Sequence, residues 1–248
     1  MEMPRDQLLS YLTSKIPHSG TDCVLVAVDG RDGAGKTVFA DELAGKCRQT
    51  LSSDVIRISI DDFHNTREKR YCRGPKSPEG FYLDSYDYDQ FRSHVLEPLG
   101  PNGSRKFRKR GHDLLTDRVI EDEPEAEAKP GSVVIVDGIF LHRPELEKAW
   151  NMSVFLDVSA EVCAQRMLVR DGSAPQLVPT DRYFGGQKMY LDTCEPESKA
   201  DFVVDNSRPD VAILKKPILY EFEMVRTPGS GRSIRMADRD IVLHHTKT

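Results

Sequence analysis

Eight consecutive residues, Gly30-Arg31-Asp32-Gly33-Ala34-Gly35-Lys36-Thr37, have the types and spacing to hold a chain of phosphates. They fit G-x-x-x-x-G-K-[ST] at every fixed position. Glycines there let successive main-chain N–H groups turn inward around phosphate oxygens. A helix opening at the end of the loop adds its positive N-terminus to the same site. Lys36 is then placed to reach the β- and γ-phosphates, and the Thr37 hydroxyl to ligate Mg²⁺. The expected ligand of Gly30 to Thr37 is a nucleoside triphosphate. A plain glycine-rich turn would not need the lysine and the hydroxyl.

The loop does not say what becomes of the γ-phosphate, since GTPases, motor ATPases and small-molecule kinases share it. The N-K-x-D motif of guanine-specific GTPases is absent from the sequence. Two carboxylate-bearing segments bear on the question: Ser59-Ile60-Asp61-Asp62-Phe63-His64 and Val136-Asp137-Gly138. Each closes an apolar, β-branched run, and strand ends line the ligand crevice of an open parallel sheet. Asp61 or Asp62 could orient an acceptor hydroxyl and take its proton. Either could equally cap a helix or sit in a solvated turn. Asp137 could hold Mg²⁺, directly or through water. Arg166 and Arg170 are four apart and share one helix face.

The elements that would position these groups alternate. Leu8, Leu9, Leu12 and Ile16 repeat at helical spacing until Pro17. Strands are expected at Cys23–Val28, Val55–Ile60, Ser132–Val136, Val154–Val158 and, edge-like, Phe202–Val204. Helices are expected after the glycine loop and at about Tyr86–Leu96, Pro144–Trp150 and Ala160–Arg170. This alternation implies an α/β sandwich with a parallel sheet covered by helices on both faces. Thr66 to Leu83 reads as a long surface loop. Phe107–Arg110 and Arg118–Ile120 could form a hairpin, and the acidic Glu121–Pro130 reads as a solvated linker. The basic run Arg105, Lys106, Arg108, Lys109 and Arg110 is either a solvated face or a phosphate-binding patch. Pro228 to Gly231 reads as a turn in a tail that gives no clear periodicity.

The chain has 248 residues and a net charge of −5, which argues against nucleic acid as the main partner. Hydrophobic residues at 38% and charged residues at 30% fit a globular chain. Its five cysteines are scattered without a C-x-x-C pair, the pattern of reduced thiols rather than of disulfides or a zinc site. No apolar run is long enough for a membrane span, and the first ten residues do not read as a targeting signal. The expected location is cytoplasmic. His18, His94, His142, His244 and His245 show no metal-ligand spacing.

Together these segments resemble the uridine kinase and phosphoribulokinase-like group of P-loop kinases. The match runs from about Val24 to Pro209. It includes the glycine loop, Ser59–His64 and Val134-Ile135-Val136-Asp137-Gly138-Ile139-Phe140. It continues through Phe155-Leu156-Asp157 with Arg166 and Arg170, Arg182-Tyr183 with Gly186-Gln187 and Tyr190-Leu191, and Ala200-Asp201 with Asp205-Asn206. The resemblance implies Asp61 as catalytic base. It implies that Tyr86 lies against the acceptor and Asp87 on its hydroxyls, with His112 and Asp113 near the base of a nucleoside. Four residues beyond that pair, where nucleoside kinases carry a histidine, stands Asp117, a departure that bears on base specificity. It also implies that Arg166 and Arg170 lead into a lid over the phosphates, at about residues 171–186 with a hinge at Asp171–Pro175. Arg182 would be a further phosphate-binding residue at its far end.

The expectation is therefore a single P-loop kinase domain, core about 20–209, with a C-terminal extension over 210–248. It would use ATP and Mg²⁺ to phosphorylate a hydroxyl of a small-molecule acceptor, with a nucleoside first in line. A non-nucleoside alcohol such as pantothenate or a sugar phosphate is the alternative. An ATP-binding regulatory module with little catalysis is a third reading, and homo-oligomerisation is left open.

Overall fold

The structure, a computed structural model, describes residues 2–171, 181–208, 210–216, 222–225 and 233–236. Seven strands form one sheet: β1 (Glu2–Pro4), β2 (Val24–Gly30), β3 (Val55–Ser59), β4 (Val133–Gly138), β5 (Met152–Asp157), β6 (Phe202–Asp205) and β7 (Val211–Lys216). Their spatial order is β1-β7-β6-β5-β2-β4-β3. The run β6-β5-β2-β4-β3 is parallel, and β7 and β1 continue it antiparallel. The helices that position the site are α1 (Arg5–Lys15), α2 (Lys36–Thr50), α3 (Pro78–Asp84), α4 (Ala160–Asp171) and α5 (Asp181–Cys194).

Central β2 is buried along its whole length, as a strand covered on both faces must be. α2 follows the glycine loop and buries Phe39, Ala40, Leu43, Ala44 and Cys47, a stripe at helical spacing. α5 lies on α3, where a Cβ at Gly186 would meet the Phe81 side chain at 2.7 Å. A core of Phe63, Phe81, Tyr82, Tyr86, Phe91, Phe140 and Tyr190 lies between the sheet and this pair.

Several elements differ from the sequence reading. Phe202–Asp205 is not an edge strand, because β7 and β1 lie outside it. Both carry too little periodicity to stand out, and β1 is only three residues long. Pro144–Trp150 supplies one 3₁₀ turn, Glu147–Ala149. Thr66–Leu83 is not loop throughout, since it contains a helical turn at Arg67–Arg70 and α3 with Ser77 as its N-cap. The expected pairing of Phe107–Arg110 with Arg118–Ile120 is replaced by two short ladders. Lys106–Phe107 pairs with Ala126–Glu127, and His112–Asp113 with Arg118–Val119. Part of the acidic stretch Glu121–Pro130 is thus a strand, with Ala128 buried behind it.

Tyr88–Leu99 is helical but passes through a π turn at Arg92–Leu96. Pro98 has no N–H to give His94, whose carbonyl accepts from Arg108 instead. That bond ties the basic run to the helix.

Residues 217–248 form a second unit, described here as an antiparallel pairing of Phe222–Val225 with Ser233–Met236. The turn expected at Pro228–Gly231 lies outside the described residues. So does most of the segment expected as a lid, residues 172–180. Val211–Lys216, read as the start of an extension, belongs to the main sheet. Among the described residues no helix is long and apolar enough to cross a membrane.

Candidate active site

The glycine loop joins the C-terminal end of β2 to the N-terminus of α2. Gly33 and Gly35 have φ of +80° and +88°, which L side chains rarely adopt. A Cβ on Gly33 would also stand 2.5 Å from the Cys163 carbonyl oxygen, so the loop is packed closely against α4. Lys36 Nζ donates to the Arg31 carbonyl at 2.9 Å and lies 3.8 Å from Asp32 Oδ1. Burial raises the Asp32 carboxyl above its ordinary range, and the Lys36 charge partly offsets this.

The strand ends bring the carboxylates to the loop. Ser59 and Val28 are the register partners of Asp137 on the two sides of β4. Thr37 Oγ1 donates to Asp137 Oδ2 at 2.7 Å, and Arg57 Nη2 donates to Oδ1 at 2.9 Å. Two hard oxygens thus stand together where α2 begins. Mg²⁺ takes few protein ligands and fills its octahedron with phosphate and water, so Thr37 and Asp137 fit it. Among the described residues no cluster of three or more His, Cys, Asp or Glu could hold a metal.

Asp61 follows β3 in a 3₁₀ turn whose N-cap, Ser59, accepts from the Asp61 N–H. This turn lies close against β4, since a Cβ on Gly138 would fall 2.2 Å from Ile60 Cγ2. The Tyr86 hydroxyl donates to Asp61 Oδ1 at 2.7 Å. Burial, then the Asp61 charge, raises the Tyr86 phenol well above its ordinary range, so it remains a donor. His64 Nδ1 donates to the Asp61 carbonyl at 2.7 Å, and its ring lies 4.5 Å from that of Tyr86. The charges of Asp61, Arg170 and His64 all act on the Asp32 carboxyl of the loop.

Arg166 joins the loop. Its guanidinium donates to the Asn206 and Ser207 carbonyls at 2.8 and 2.9 Å and reaches those of Gly33 and Ala34 at 3.5 and 3.4 Å. Arg182 has other partners. It is buried and donates to the carbonyls of Arg70, Gly74 and Ser77, with its guanidinium 4.6 Å from the Tyr71 ring centroid. Three carbonyls and an aromatic face hold it on the stretch before α3.

Two further expected residues, Asp87 and Asp113, hold main chain. Asp87 Oδ1 caps the Tyr88–Phe91 turn by accepting from Gln90 N at 2.9 Å. Asp113 Oδ1 accepts from the N–H groups of Leu115 and Thr116, closing its hairpin. The Thr116 N–H is the main cause of that carboxyl's lowered pKa. His112 is buried with Nε2 3.3 Å from Asp117 Oδ1. Asp117 also accepts from the Arg67 N–H and from Arg70 Nη2, so it joins this hairpin to the Arg67–Arg70 turn. Arg110 of the basic run pairs with Asp62 at 3.4 Å and faces Asp113 at 3.8 Å.

The sequence does not single out Arg57, which takes one oxygen of Asp137, or Asp29, and it gives no site role to His142 and Tyr190, which form a buried trio with Asp29 around the root of the loop. An aspartate inside an otherwise apolar strand was the available signal.

Residues 25–174 match the model of the Phosphoribulokinase / Uridine kinase family. A uridine kinase of Shewanella halifaxensis is 26% identical over 195 residues, covering 74% of this chain and 87% of its own. A uridine kinase of Escherichia fergusonii is 25% identical over 217 residues, covering 81% and 97%. The solved structure of a possible uridine kinase from Bacillus stearothermophilus superposes with a TM-score of 0.63 at 22% identity, covering 80% of this chain and 96% of that one.

Proposed function

The chain belongs to the phosphoribulokinase/uridine kinase family of P-loop kinases, phosphotransferases with hydroxyl acceptors, and from that premise we propose that it phosphorylates a hydroxyl of a small ribosyl metabolite, a nucleoside first, at the expense of Mg²⁺-bound ATP. The observation that carries this reading is the placement of Asp61. It stands at the end of β3, across from the glycine loop, with its Oδ1 held by Tyr86.

In this reading the loop amides and Lys36 hold the β- and γ-phosphates. Thr37 and Asp137 hold Mg²⁺, which supplies charge neutralisation on the phosphate oxygens. Asp61 accepts the proton of the acceptor hydroxyl as that oxygen attacks. Tyr86 keeps Asp61 in one orientation, and Arg166 and Arg170 offset charge on the phosphoryl group in flight. Tyr86, Asp87, His112 and Asp113 belong to the acceptor side. Asp87 and Asp113 act there through the turns they cap.

One observation favours a second reading, a non-nucleoside alcohol as acceptor. Asp117 is held by Arg67 N and Arg70, with His112 Nε2 3.3 Å away, and an acidic group there does not serve a pyrimidine as a histidine would. A panel of nucleosides, pantothenate and sugar phosphates with coupled ADP detection tests both. Uridine turnover at an ordinary rate rejects the second. Turnover of only a non-nucleoside rejects the first.

A further inference from the structure

Asp29 is the last residue before the loop and is fully buried inside β2. A carboxylate there is costly unless every oxygen finds a donor. Three donors converge on it. Oδ1 accepts from the Gly30 N–H at 2.7 Å. Oδ2 accepts from His142 Nδ1 at 2.7 Å and from the Tyr190 hydroxyl. The ring closes when Tyr190 Oη accepts from the main-chain N–H of His142 at 3.0 Å. The carboxylate can only accept, so Nδ1 is the protonated nitrogen of His142. Burial, then the Asp29 charge, raises the Tyr190 phenol well above its ordinary range. Its hydroxyl therefore stays a donor.

The amide caught by this ring opens the glycine loop. β5 lies close against Gly30, since a Cβ there would fall 2.8 Å from the Leu156 carbonyl oxygen. α5 takes hold of the loop a second time through Gln187, one turn before Tyr190. Its Oε1 accepts from the Asp32 N–H at 3.3 Å, and Nε2 donates to Asp32 Oδ2 at 3.4 Å. Both ends of the Gly30–Asp32 segment are thus tied to α5. Main-chain donors bind phosphate best when their directions are fixed beforehand.

We propose that Asp29, His142 and Tyr190 are positioning residues for nucleotide binding: they fix the Gly30 peptide, and with it the direction of the loop amides. None of the three touches the nucleotide. The inference rests on the loop being the nucleotide site, and the test below separates the two.

The dissociation constant of Mg–ADP is measured by titration calorimetry for wild type, Tyr190→Phe, His142→Leu, His142→Asn and Lys36→Ala, each alongside a melting curve without nucleotide. Tyr190→Phe, which loses one oxygen atom, should bind about tenfold more weakly. His142→Leu should lose at least as much. His142→Asn places an amide N–H near the position of Nδ1 and should recover most of that loss. The Gly30 amide should exchange with solvent at least tenfold faster in Tyr190→Phe. Affinity within twofold of wild type in both Tyr190→Phe and His142→Leu, whatever their melting points, overturns the proposal. So does an equal loss in His142→Asn and His142→Leu. Undiminished binding by Lys36→Ala would instead reject the loop as the nucleotide site.

Discussion

The Tyr86 phenol lies 2.7 Å from Asp61 Oδ1, and it is the only one of the two that can give a proton. In the proposed reaction Asp61 would therefore meet the acceptor with one oxygen already fixed. Asp61→Asn should lower turnover about 10³-fold while Mg–ADP affinity stays within a fewfold of wild type. Steady-state ADP release and calorimetry measure the two. Unchanged turnover would remove Asp61 from the reaction.

Tyr86→Phe should cost less, about tenfold in turnover, because the carboxylate remains and only its orienting bond is lost. The same assay applies. A loss as large as that of Asp61→Asn would mean that the phenol itself meets the acceptor.

Thr37→Ala and Asp137→Asn should both raise the Mg²⁺ concentration needed for half-maximal rate, by about tenfold, with lesser effects at saturating Mg²⁺. Asp137→Asn should also lower stability, because Arg57 loses its buried partner. Rate against Mg²⁺ concentration is the measurement. A curve that does not move in either variant would place the ion elsewhere.

Arg182→Lys cannot span three carbonyls at once and gives up the stacking on Tyr71. Stability should fall by about 2 kcal/mol, or roughly 4–8 °C in melting midpoint. Nucleotide affinity should hold. A selective loss of ATP affinity with an unchanged melting point would instead favour a role at the phosphates.

Burial lowers the pKa of His64 below its ordinary 6.5, and the same holds for His94. The folded state therefore binds fewer protons than the unfolded chain between the lowered value and 6.5. Stability from this source is fully present above 6.5 and is lost as pH falls through that window. Melting curves from pH 7.5 to 5 should show the decline, and His64→Gln should reduce its slope. An unaltered slope would assign the decline to other groups.

Much of this was legible in the sequence where the signal is local. The glycine loop is a spacing, and the five parallel strands are short β-branched runs with helical stretches between them. Asp137 and the pair Asp61–Asp62 could be placed at strand ends, and the family resemblance chose Asp61 of the pair. The Asp29 ring could not, for its hydrogen bonds join residues 113 and 161 positions apart. His142 looked ordinary because it shows no metal-ligand spacing; it meets a carboxylate. Arg182 was expected at the phosphates on family grounds, whereas its partners are main-chain carbonyls, which no side-chain pattern announces. The π turn before Pro98 was hidden for the same reason, since a carbonyl that loses its donor leaves no mark in composition.

β1 ends in Pro4, on the outermost strand of the sheet. Proline offers no N–H to a neighbouring strand, and three residues make a poor template. This margin of the sheet is thereby blunted against stacking onto another molecule's strand. Removing Glu2–Pro4 would bare the longer β7, and the shortened protein should form aggregates at concentrations where the full chain does not.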